Sequence, residues 1–290
     1  MSTEFPIEGK IVAVTGGSSG IGLCYVLLAR AHKAKKVIIA DISLSEKAQE
    51  VIGADNDVIY HQECDVTKWS DLQAIVDFSK SKFGAVPDVF VASAGVLEPP
   101  HSNFWHEPEP LEANGYAQVD ININHPIKLT RLAIRALLES NKPGVVILLG
   151  STSGYAGQYL VPLYSATKHA ITGFTKSMKD AEKYQGVRIM AVCPGIVSTP
   201  QWTTGAPAER LKLMEKIAIT PEHVAQSIHE VITEPAKYAG GTVLEVLASG
   251  CRILPEWNVA PPDVELPAEA VAIGLKPILD VTAAERASHT

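Results

Sequence analysis

The sequence predicts a doubly wound α/β fold, in which a parallel sheet of about seven strands is covered by helices on both faces. Short runs of Val, Ile, Leu and Ala alternate with longer amphipathic segments along most of the chain. These short runs are almost continuously apolar, as strands buried on both faces of a parallel sheet are. The first run leads directly into a glycine-rich turn and a helical segment. Regular alternation of strand and helix is typical of this fold class.

The predicted elements follow one another in a regular order. The last helix has a favourable start, because Pro221 occupies its first turn and Thr220 is suited to be its N-cap. Residues 97–110, rich in proline and aromatic side chains, interrupt the pattern and are predicted to form a loop. The predicted strands are residues 11–15, 36–40, 57–61, 88–92, 145–149, 187–192 and 242–247, and the predicted helices are residues 21–32, 69–83, 115–140, 163–184 and 221–233.

Length and composition favour one large domain. The chain has 290 residues, of which 46% are hydrophobic and 20% charged, so it has enough apolar material for a core. We expect residues 1–250 to form this domain. Residues 251–290 are rich in proline and then polar, which predicts a tail that packs on the domain or on a partner subunit.

Charge and cysteine usage argue against several classes of function. A net charge of −7 without a basic run is unfavourable for binding nucleic acid or an anionic membrane surface. The first residues lack the pattern of a signal peptide, and no apolar segment has the length that spans a membrane. The four cysteines are far apart, which predicts reduced thiols, a cytoplasmic location and no metal site.

The turn after the first strand, TGGSSGIG, predicts a phosphate-binding loop. Such a turn directs backbone N–H groups and the positive end of a helix dipole at an anion, and glycine permits close approach. A glycine-rich turn without a ligand is the alternative. The two serines are expected to fill the turn and cap the helix. The cofactor-binding residues predicted here are Gly16, Ser18, Ser19, Gly20, Ile21 and Gly22.

Asp41 indicates which cofactor the loop holds. It follows the second predicted strand and stands nineteen positions after Gly22. A carboxylate at that place would accept hydrogen bonds from both hydroxyls of an adenosine ribose. A 2′-phosphate would meet the same negative charge, with no arginine in the glycine loop to offset it. We therefore expect NAD, with NADP less favoured.

Further motifs make the chain similar to a known family. The motif YSATK runs from Tyr164 to Lys168, and Ser151 stands thirteen residues before the tyrosine. Together with TGGSSGIG, CDVT, ASAG and CPGIVSTP, these residues resemble the short-chain dehydrogenase/reductase family over residues 8–250. The resemblance implies a single Rossmann-type domain. Within the family, the segment from YSATK to CPGIVSTP is most similar to the 15-hydroxyprostaglandin dehydrogenase group and to fungal polyketide-pathway alcohol dehydrogenases such as 5′-hydroxyaverantin dehydrogenase.

The residue types in these motifs are suited to redox chemistry at an alcohol. Tyr164 and Lys168, four apart, lie on one face of a helix. A nearby ammonium group and the positive ring of NAD⁺ would lower the pKa of the tyrosine from its usual value of about 10. Tyr164 would then exchange a proton with the substrate while hydride moves to or from the nicotinamide. Ser151 would hold the substrate oxygen. The alternative is a packed tyrosine beside a surface lysine.

The resemblance implies roles for further residues. Asn122 matches the family's asparagine that orders a water relay to the lysine; Asn124 is the neighbouring candidate, and a helix-kink role is the alternative. Ala92 and Ser93 replace two asparagines that usually tie the central sheet together, which puts its stability in question. The cofactor contacts carried over by position are Asp65, Val66, Ala94, Gly95, Tyr164, Lys168, Pro194, Gly195, Val197 and Thr199.

The expected pocket walls are apolar. The segment between Ser151 and Tyr164 and the segment after Pro200 contain few charges, which favours a bulky apolar or aromatic substrate. The candidate pocket residues are Ser153, Tyr159 and Trp202. For Trp202, simple loop packing is an equal alternative. A role in secondary, polyketide-type metabolism is implied only by the resemblance.

We therefore expect an NAD-dependent oxidoreductase that interconverts a secondary alcohol and a ketone, with Tyr164 as the general acid and base. The alternative is a non-redox cofactor-binding scaffold, or a cyclase on the same fold. The complete set of Ser151, Tyr164 and Lys168 argues against that alternative. Family members commonly form homodimers or homotetramers through the helices predicted at 115–140 and 163–184, and we expect one of these assemblies here.

Overall fold

A single sheet forms the centre of the protein. The computed structural model describes residues 4–106, 108–199, 216–256 and 268–288. The strands are β1 (Ile11–Thr15), β2 (Lys36–Asp41), β3 (Ile59–Glu63), β4 (Val89–Ala92), β5 (Gly144–Leu149), β6 (Val187–Pro194), β7 (Val243–Leu247) and β8 (Gly250–Ile253). They lie in the order β3-β2-β1-β4-β5-β6-β7-β8, and only β8 is antiparallel to its neighbour. The predicted fold class is confirmed, with eight strands in place of about seven.

Helices cover both faces of the sheet. Four longer helices, α1, α3, α6 and α8, begin within one residue of their predicted starts. The α-helices of the described residues are α1 (Gly20–Ala31), α2 (Glu46–Ala54), α3 (Trp69–Phe83), α4 (Ala117–Val119), α5 (His125–Glu139), α6 (Pro162–Ser177), α7 (Ala181–Gln185), α8 (Pro221–Thr233) and α9 (Ala268–Ala287). Short 3₁₀ turns occupy Leu111–Ala113 and Thr152–Gly154, and a π-helical turn occupies Asp120–Asn124. No helix in the described part of the chain is both long and apolar enough to cross a membrane.

The core lies on both sides of the sheet, as continuous apolar strands require. In β1, Ile11 and Ala13 belong to the cluster on one face, whereas Val12 and Val14 belong to the cluster on the other. All five residues of this strand are buried. Side chains alternate between faces along a strand, so a strand covered by helices on both sides must be apolar at every position.

The strand order places the loops that follow several strands at one edge of the sheet. The chain moves outward from β1 to β2 and β3, then returns to add β4 on the other side of β1. The carboxyl ends of these parallel strands meet at a crevice where the order reverses. The glycine loop after β1 and the segments after β4, β5 and β6 therefore converge there.

Two predicted helices are interrupted in the structure. The helix predicted at 115–140 contains a π-helical turn just before α5, where the N–H of His125 donates to the carbonyl of Asp120. Pro126 lacks an N–H, so a regular α-helical ladder cannot run through this point. The helix predicted at 163–184 breaks between α6 and α7. At this break the backbone of Gly241 packs so tightly on Lys179 that a Cβ would lie 2.6 Å from the lysine Cβ.

Other boundaries also differ from the prediction. The strand predicted at 57–61 begins two residues later, because the N–H groups of Val58 and Ile59 donate to Asp55 in a turn. Helix α2 was not predicted, although Ser45 caps it by accepting from the N–H of Ala48 at 3.1 Å. The N-cap predicted at Thr220 is confirmed, since its hydroxyl accepts from the N–H of His223 at 3.2 Å.

The chain after residue 249 contributes to the domain surface. Strand β8 pairs with β7 at the edge of the sheet. Helix α9 packs against α5 and α7, where Arg131 forms an ion pair with Glu285 and the amide of Gln185 contacts the hydroxyl of Thr282. This segment was expected as a tail, and its regular structure was not predicted.

Candidate active site

An open cleft lies at the carboxyl edge of the sheet. It brings together side chains from the glycine loop and from the segments after β4, β5 and β6, as the strand order requires. Its walls combine apolar and polar side chains in similar measure. The lining residues are Ile21, Ser93, Gly95, Val96, Leu97, Leu149, Gly150, Ser151, Thr152, Ser153, Gln158, Val161, Tyr164, Lys168, Pro194, Gly195, Ile196, Val197 and Thr199.

The glycine loop is packed too tightly for side chains. A Cβ on Gly22 would lie 2.2 Å from the carbonyl oxygen of Gly16. Gly16 itself has a φ of +65°, and a Cβ there would lie 2.7 Å from the Cα of Ala94. These contacts bring the N-terminus of α1 against the end of β1, so its unpaired N–H groups face the crevice. The loop therefore leaves these N–H groups directed toward a ligand in the crevice, where an anion could be held.

The two serines of the loop do not cap α1, contrary to the prediction. Ser19 occupies the N-cap position, but its side chain makes no capping hydrogen bond. Ser18 instead fixes the start of α2: its hydroxyl accepts from the N–H of Ser45 at 2.7 Å, and its carbonyl accepts from the Ser45 hydroxyl at 2.6 Å. The serine pair thus joins the glycine loop to the segment that follows β2.

Asp41 lies beside the glycine loop at the end of β2. Its Oδ2 accepts a hydrogen bond from the backbone N–H of Ser18 at 3.0 Å. This bond holds the carboxylate at the edge of the loop. Asp41 is partly exposed, so it is accessible to a ligand bound along the loop.

Ser151, Tyr164 and Lys168 meet in the cleft, as predicted. The hydroxyls of Ser151 and Tyr164 are hydrogen-bonded. The Lys168 Nζ lies 5.4 Å from the centre of the Tyr164 ring and donates to the carbonyl of Leu149 at 2.8 Å. Ser151 and Lys168 are buried at 7% and 6% exposure, so Lys168 is no surface charge.

Burial dominates the protonation of this group. It raises the pKa of Tyr164 to about 12, and the hydrogen bond with Ser151 acts in the opposite direction. Burial also lowers the pKa of Lys168 to about 8. The sequence predicts that Lys168 and the positive ring of NAD⁺ together lower the tyrosine pKa; in this structure the largest influence on that pKa is burial, which raises it. Near neutral pH, Tyr164 therefore keeps its proton, and Lys168 is mostly protonated, with its titration midpoint near pH 8.

Asn122 lies in the π-helical turn, next to this group. Its Oδ1 accepts from the N–H of Val96 at 2.9 Å. Its Nδ2 donates to the carbonyl of Val96 at 2.8 Å and to the hydroxyl of Thr167 at 3.2 Å. The alternative candidate, Asn124, donates to Asp120 on the exposed side of the turn. The structure thus directs Asn122, and not Asn124, toward the residues beside Lys168.

Gly95 leaves room between this asparagine and the lysine. A Cβ on Gly95 would lie 3.3 Å from the Asn122 Oδ1 and 3.8 Å from the Lys168 Nζ. Ser93 replaces a family asparagine, yet its N–H donates to the carbonyl of Thr15 at 3.2 Å. β1 and β4 pair in continuous register from Val12–Val89 to Thr15–Ala92.

Several predicted residues lie outside the cleft. Asp65 turns its carboxylate to the hydroxyl and N–H of Thr67, a bond that lowers the pKa of Asp65. Val66 is buried in the core. Tyr159 is 79% exposed, and its ring lies 4.9 Å from that of Trp105 in a tilted arrangement. Ser153 does line the cleft, where its N–H donates to the Ser151 hydroxyl at 3.2 Å. Trp202 lies outside the described residues.

The cleft also contains residues that sequence reasoning did not single out. Val96 and Leu97 follow ASAG, Ile196 lies inside CPGIVSTP, and Gln158 precedes the tyrosine motif. Their positions next to motifs were a usable signal, but their side chains carry no chemical signature. Within the described ranges, no cluster of three or more His, Cys, Asp or Glu side chains could hold a metal ion.

Comparisons with known proteins agree with this geometry. The model of the short chain dehydrogenase family matches residues 10–209. The chain is 31% identical over 263 residues to (+)-borneol dehydrogenase 2 from Salvia officinalis, covering 84% of this chain and 90% of that protein. It is 30% identical over 247 residues to cyclohexanol dehydrogenase from Acinetobacter sp. (strain SE19), covering 83% of this chain and 94% of that protein.

The fold is shared with solved structures as well. The 3-ketoacyl-(acyl-carrier-protein) reductase from Brucella melitensis, complexed with NADH, has a TM-score of 0.71 and 25% identity. The match covers 83% of this chain and 98% of that chain. The family match spans more than half of the sequence and includes the glycine loop and the Ser151, Tyr164 and Lys168 group. The chain therefore belongs to the short-chain dehydrogenase family of oxidoreductases.

Proposed function

We propose that this protein interconverts a secondary alcohol and a ketone with NAD as the cofactor and a bulky apolar molecule as the substrate. The observation that carries the proposal is the cleft in which Ser151, Tyr164 and Lys168 stand at the end of the glycine loop. The complex of the Brucella melitensis reductase with NADH supports a nicotinamide cofactor. The carboxylate of Asp41 beside the loop supports NAD over NADP.

The residues present fit such a cofactor. The glycine loop would hold the pyrophosphate, Asp41 the adenosine ribose, and Lys168 the nicotinamide ribose. The segment from Pro194 to Thr199 would contact the carboxamide. When bound, the cofactor supplies the hydride acceptor or donor.

The proton transfer is the task of the chain's own residues. Tyr164 donates its phenolic proton to the oxygen of a ketone, or takes a proton from an alcohol in the reverse direction. Ser151 hydrogen-bonds the same oxygen and keeps it in line with the phenol. Lys168, which is buried and half-protonated near pH 8, favours the phenolate whenever it carries its charge. Oxidation needs the phenolate form of Tyr164 as the base, so it is expected to accelerate as the pH rises toward the pKa of Tyr164. Loss of the Lys168 charge above about pH 8 acts against this rise.

The substrate proposal rests on the cleft walls and on the relatives. Leu97, Leu149, Val161 and Ile196 supply apolar surface, and polar side chains that include Thr152 and Ser153 lie beside Ser151. Borneol and cyclohexanol, named in two relatives, are both cyclic secondary alcohols. We propose a cyclic or aromatic secondary alcohol of this chemical class, consistent with a role in secondary metabolism. The chain is also proposed to act as a cytoplasmic homodimer or homotetramer, as is common in the family.

Turnover of the Tyr164→Phe variant tests the reaction. The purified protein is incubated with NAD⁺ and cyclohexanol, borneol or aromatic secondary alcohols, and NADH is followed by absorbance. Loss of the phenolic proton donor is expected to lower kcat by about 10²- to 10⁴-fold. The matched control is Tyr184→Phe, on α7 and outside the cleft. Wild-type turnover in Tyr164→Phe would refute the proposed role; cofactor binding without any turnover would favour the scaffold or cyclase alternative.

Cofactor choice is tested by titration. The wild-type protein is expected to bind NAD⁺ more tightly than NADP⁺. Asp41→Asn should retain the bond to the Ser18 N–H but weaken NAD⁺ binding by about tenfold, because hydrogen bonds to a charged group are worth about 1.5–3 kcal/mol. The same change should strengthen NADP⁺ binding by removing the repulsion. Tighter binding of NADP⁺ to the wild type would contradict the role of Asp41.

A further inference from the structure

The helix that carries the catalytic tyrosine lacks a cap of its own. Helix α6 begins at Pro162, and its N-cap residue, Val161, has no side-chain acceptor. The first N–H groups of a helix have no partner within the helix. The N–H of Tyr164, in this first turn, therefore needs an acceptor from elsewhere in the chain.

Glu98 supplies that acceptor from a distant part of the sequence. Its Oε1 accepts a hydrogen bond from the N–H of Tyr164 at 3.1 Å, across 66 residues of sequence. A negative charge at a helix N-terminus is favourable because it opposes the positive end of the helix dipole. The carboxylate thus acts as a cap for α6 at the residue that exchanges the proton.

The second carboxylate oxygen of Glu98 holds the loop that follows β4. Oε2 of Glu98 accepts from the N–H of Phe104 at 3.0 Å. The Glu98 carbonyl accepts from the Nδ2 of Asn103 at 3.1 Å, and its N–H donates to the buried Gln118. One residue therefore links the loop after β4 to the catalytic helix.

The backbone of Glu98 indicates that this position is held under constraint. Its φ is +38°, in the left-handed region that favours glycine. A glutamate keeps such a conformation only where surrounding contacts enforce it, and such residues concentrate at functional sites. The four hydrogen bonds described above provide that enforcement.

We propose that Glu98 is a positioning residue that sets the catalytic helix and the loop after β4 in one fixed relation. This inference rests on the proposed function, in which Tyr164 transfers the proton. Glu98 acts through Tyr164 and Phe104 and touches no reacting atom. Without the carboxylate, the first turn of α6 loosens, and the Tyr164 hydroxyl loses its alignment with Ser151.

Kinetics of Glu98→Ala and Glu98→Gln test the catalytic consequence. The alanine variant is expected to lose tenfold or more in kcat, since small displacements of a catalytic group are costly, while its Kd for NAD⁺ is unchanged. Its kcat profile should shift to higher pH, because the Ser151 hydrogen bond that lowers the Tyr164 pKa is weakened. Glu98→Gln keeps one acceptor for the Tyr164 N–H and should recover most of kcat.

The control is Glu112→Ala, an exposed glutamate in the same connection. A kcat and pH profile of Glu98→Ala equal to those of Glu112→Ala would overturn the proposal.

Hydrogen exchange tests the same proposal without turnover. In Glu98→Ala, the Tyr164 and Phe104 amides should both exchange tenfold or more faster than in Glu112→Ala. The side-chain amide of Glu98→Gln offers a single oxygen, so only one of the Tyr164 and Phe104 amides should lose protection. This variant keeps the test valid if the alanine variant fails to fold. Unchanged exchange at both amides would overturn the proposal. If the wild type oxidises no alcohol, the proposed function fails, and the exchange result still decides the role of Glu98.

Discussion

At the scale of single residues, burial sets the protonation of the site. Tyr164 and Lys168 are four residues apart on one helix, and the low-polarity cleft disfavours the charged form of both. A phenol that keeps its proton is suited to donate it to a ketone. Because the pKa of Lys168 lies near 8, the reverse reaction, oxidation of an alcohol, is sensitive to pH.

His125 shows the same physics away from the cleft. Its ring is fully buried, with Nδ1 donating to the carbonyl of Ile121 at 3.1 Å and Nε2 2.9 Å from the Thr15 hydroxyl. Because a carbonyl only accepts, Nδ1 carries the proton of the neutral ring. Burial lowers the pKa of His125 to about 4, and the charge of Lys168 acts in the same direction. Neutral His125 therefore joins the start of α5 to the end of β1.

This shift predicts a loss of stability in mild acid. An unfolded histidine binds its proton near pH 6.5, so the unfolded chain holds more protons than the folded chain between that pH and about pH 4. The free energy of unfolding should fall by about 2 kcal/mol from pH 7 to pH 5 through this residue. Urea unfolding at the two pH values measures it. His125→Gln should be less stable at pH 7 but lose less between pH 7 and pH 5. His229, with a pKa also lowered to about 4 by burial, leaves part of the dependence in the variant. Equal losses in both proteins would contradict the assignment.

At the scale of elements, the glycine loop and the π-helical turn place the functional groups. The loop needs glycine because α1 packs directly on the end of β1. The π-helical turn forms because Pro126 cannot continue the hydrogen-bond ladder, and it directs Asn122 to Val96 and Thr167. The glycine loop therefore presents Ile21 to the cleft, and the π-helical turn supports Val96 in its wall.

Gly22→Ala tests the close packing of the loop. The new Cβ would lie 2.2 Å from the backbone oxygen of Gly16, and backbone at that position cannot move without separating α1 from β1. We expect a loss of about 1–3 kcal/mol from overpacking and a large loss of NAD⁺ affinity. Urea unfolding and NAD⁺ titration measure the two effects. The control is Gly53→Ala in α2, where a Cβ meets no atom within 4 Å and helix propensity improves. Normal NAD⁺ affinity in Gly22→Ala would show that the contact does not matter.

At the scale of the whole molecule, α9 is an addition to the outer surface of the domain. It covers parts of α5 and α7, and its contacts include the Arg131–Glu285 ion pair and the buried Thr282. None of the α9 side chains that the structure describes lines the cleft. Its contribution is therefore expected to be to stability and not to cofactor binding.

A chain that ends at Glu256 tests this separation. We expect a Tm several degrees lower, because each kcal/mol lost shifts the Tm of a large domain by about 2–4 °C, with NAD⁺ affinity unchanged. Thermal unfolding with and without NAD⁺ measures both quantities. Glu285→Ala in the full chain removes only the ion pair and should cost less than about 1 kcal/mol. Weaker NAD⁺ binding by the shortened chain would instead connect α9 to the site.

The sequence alone determined the class of fold, the glycine loop and the Ser151, Tyr164 and Lys168 group. Continuous apolar runs report burial on both faces directly, and the motif residues are four or thirteen positions apart on elements whose geometry is local. Short-range signals of this kind can be recognised in the sequence without knowledge of the packing. The N-cap at Thr220 was predictable for the same reason, because its hydrogen bond joins residues only three positions apart.

Only the tertiary structure decided which residues support that group. The contact of Glu98 with Tyr164, the turn of Ser18 toward Ser45 and the exposure of Tyr159 all depend on where distant segments meet. The rise in the Tyr164 pKa also depends on the surrounding protein, because desolvation is a property of the folded cleft. Hydrogen-bond partners 27 and 66 residues apart leave no periodic pattern in the chain. Their pairing is set by the strand order of the sheet, which brings the loops together at one edge.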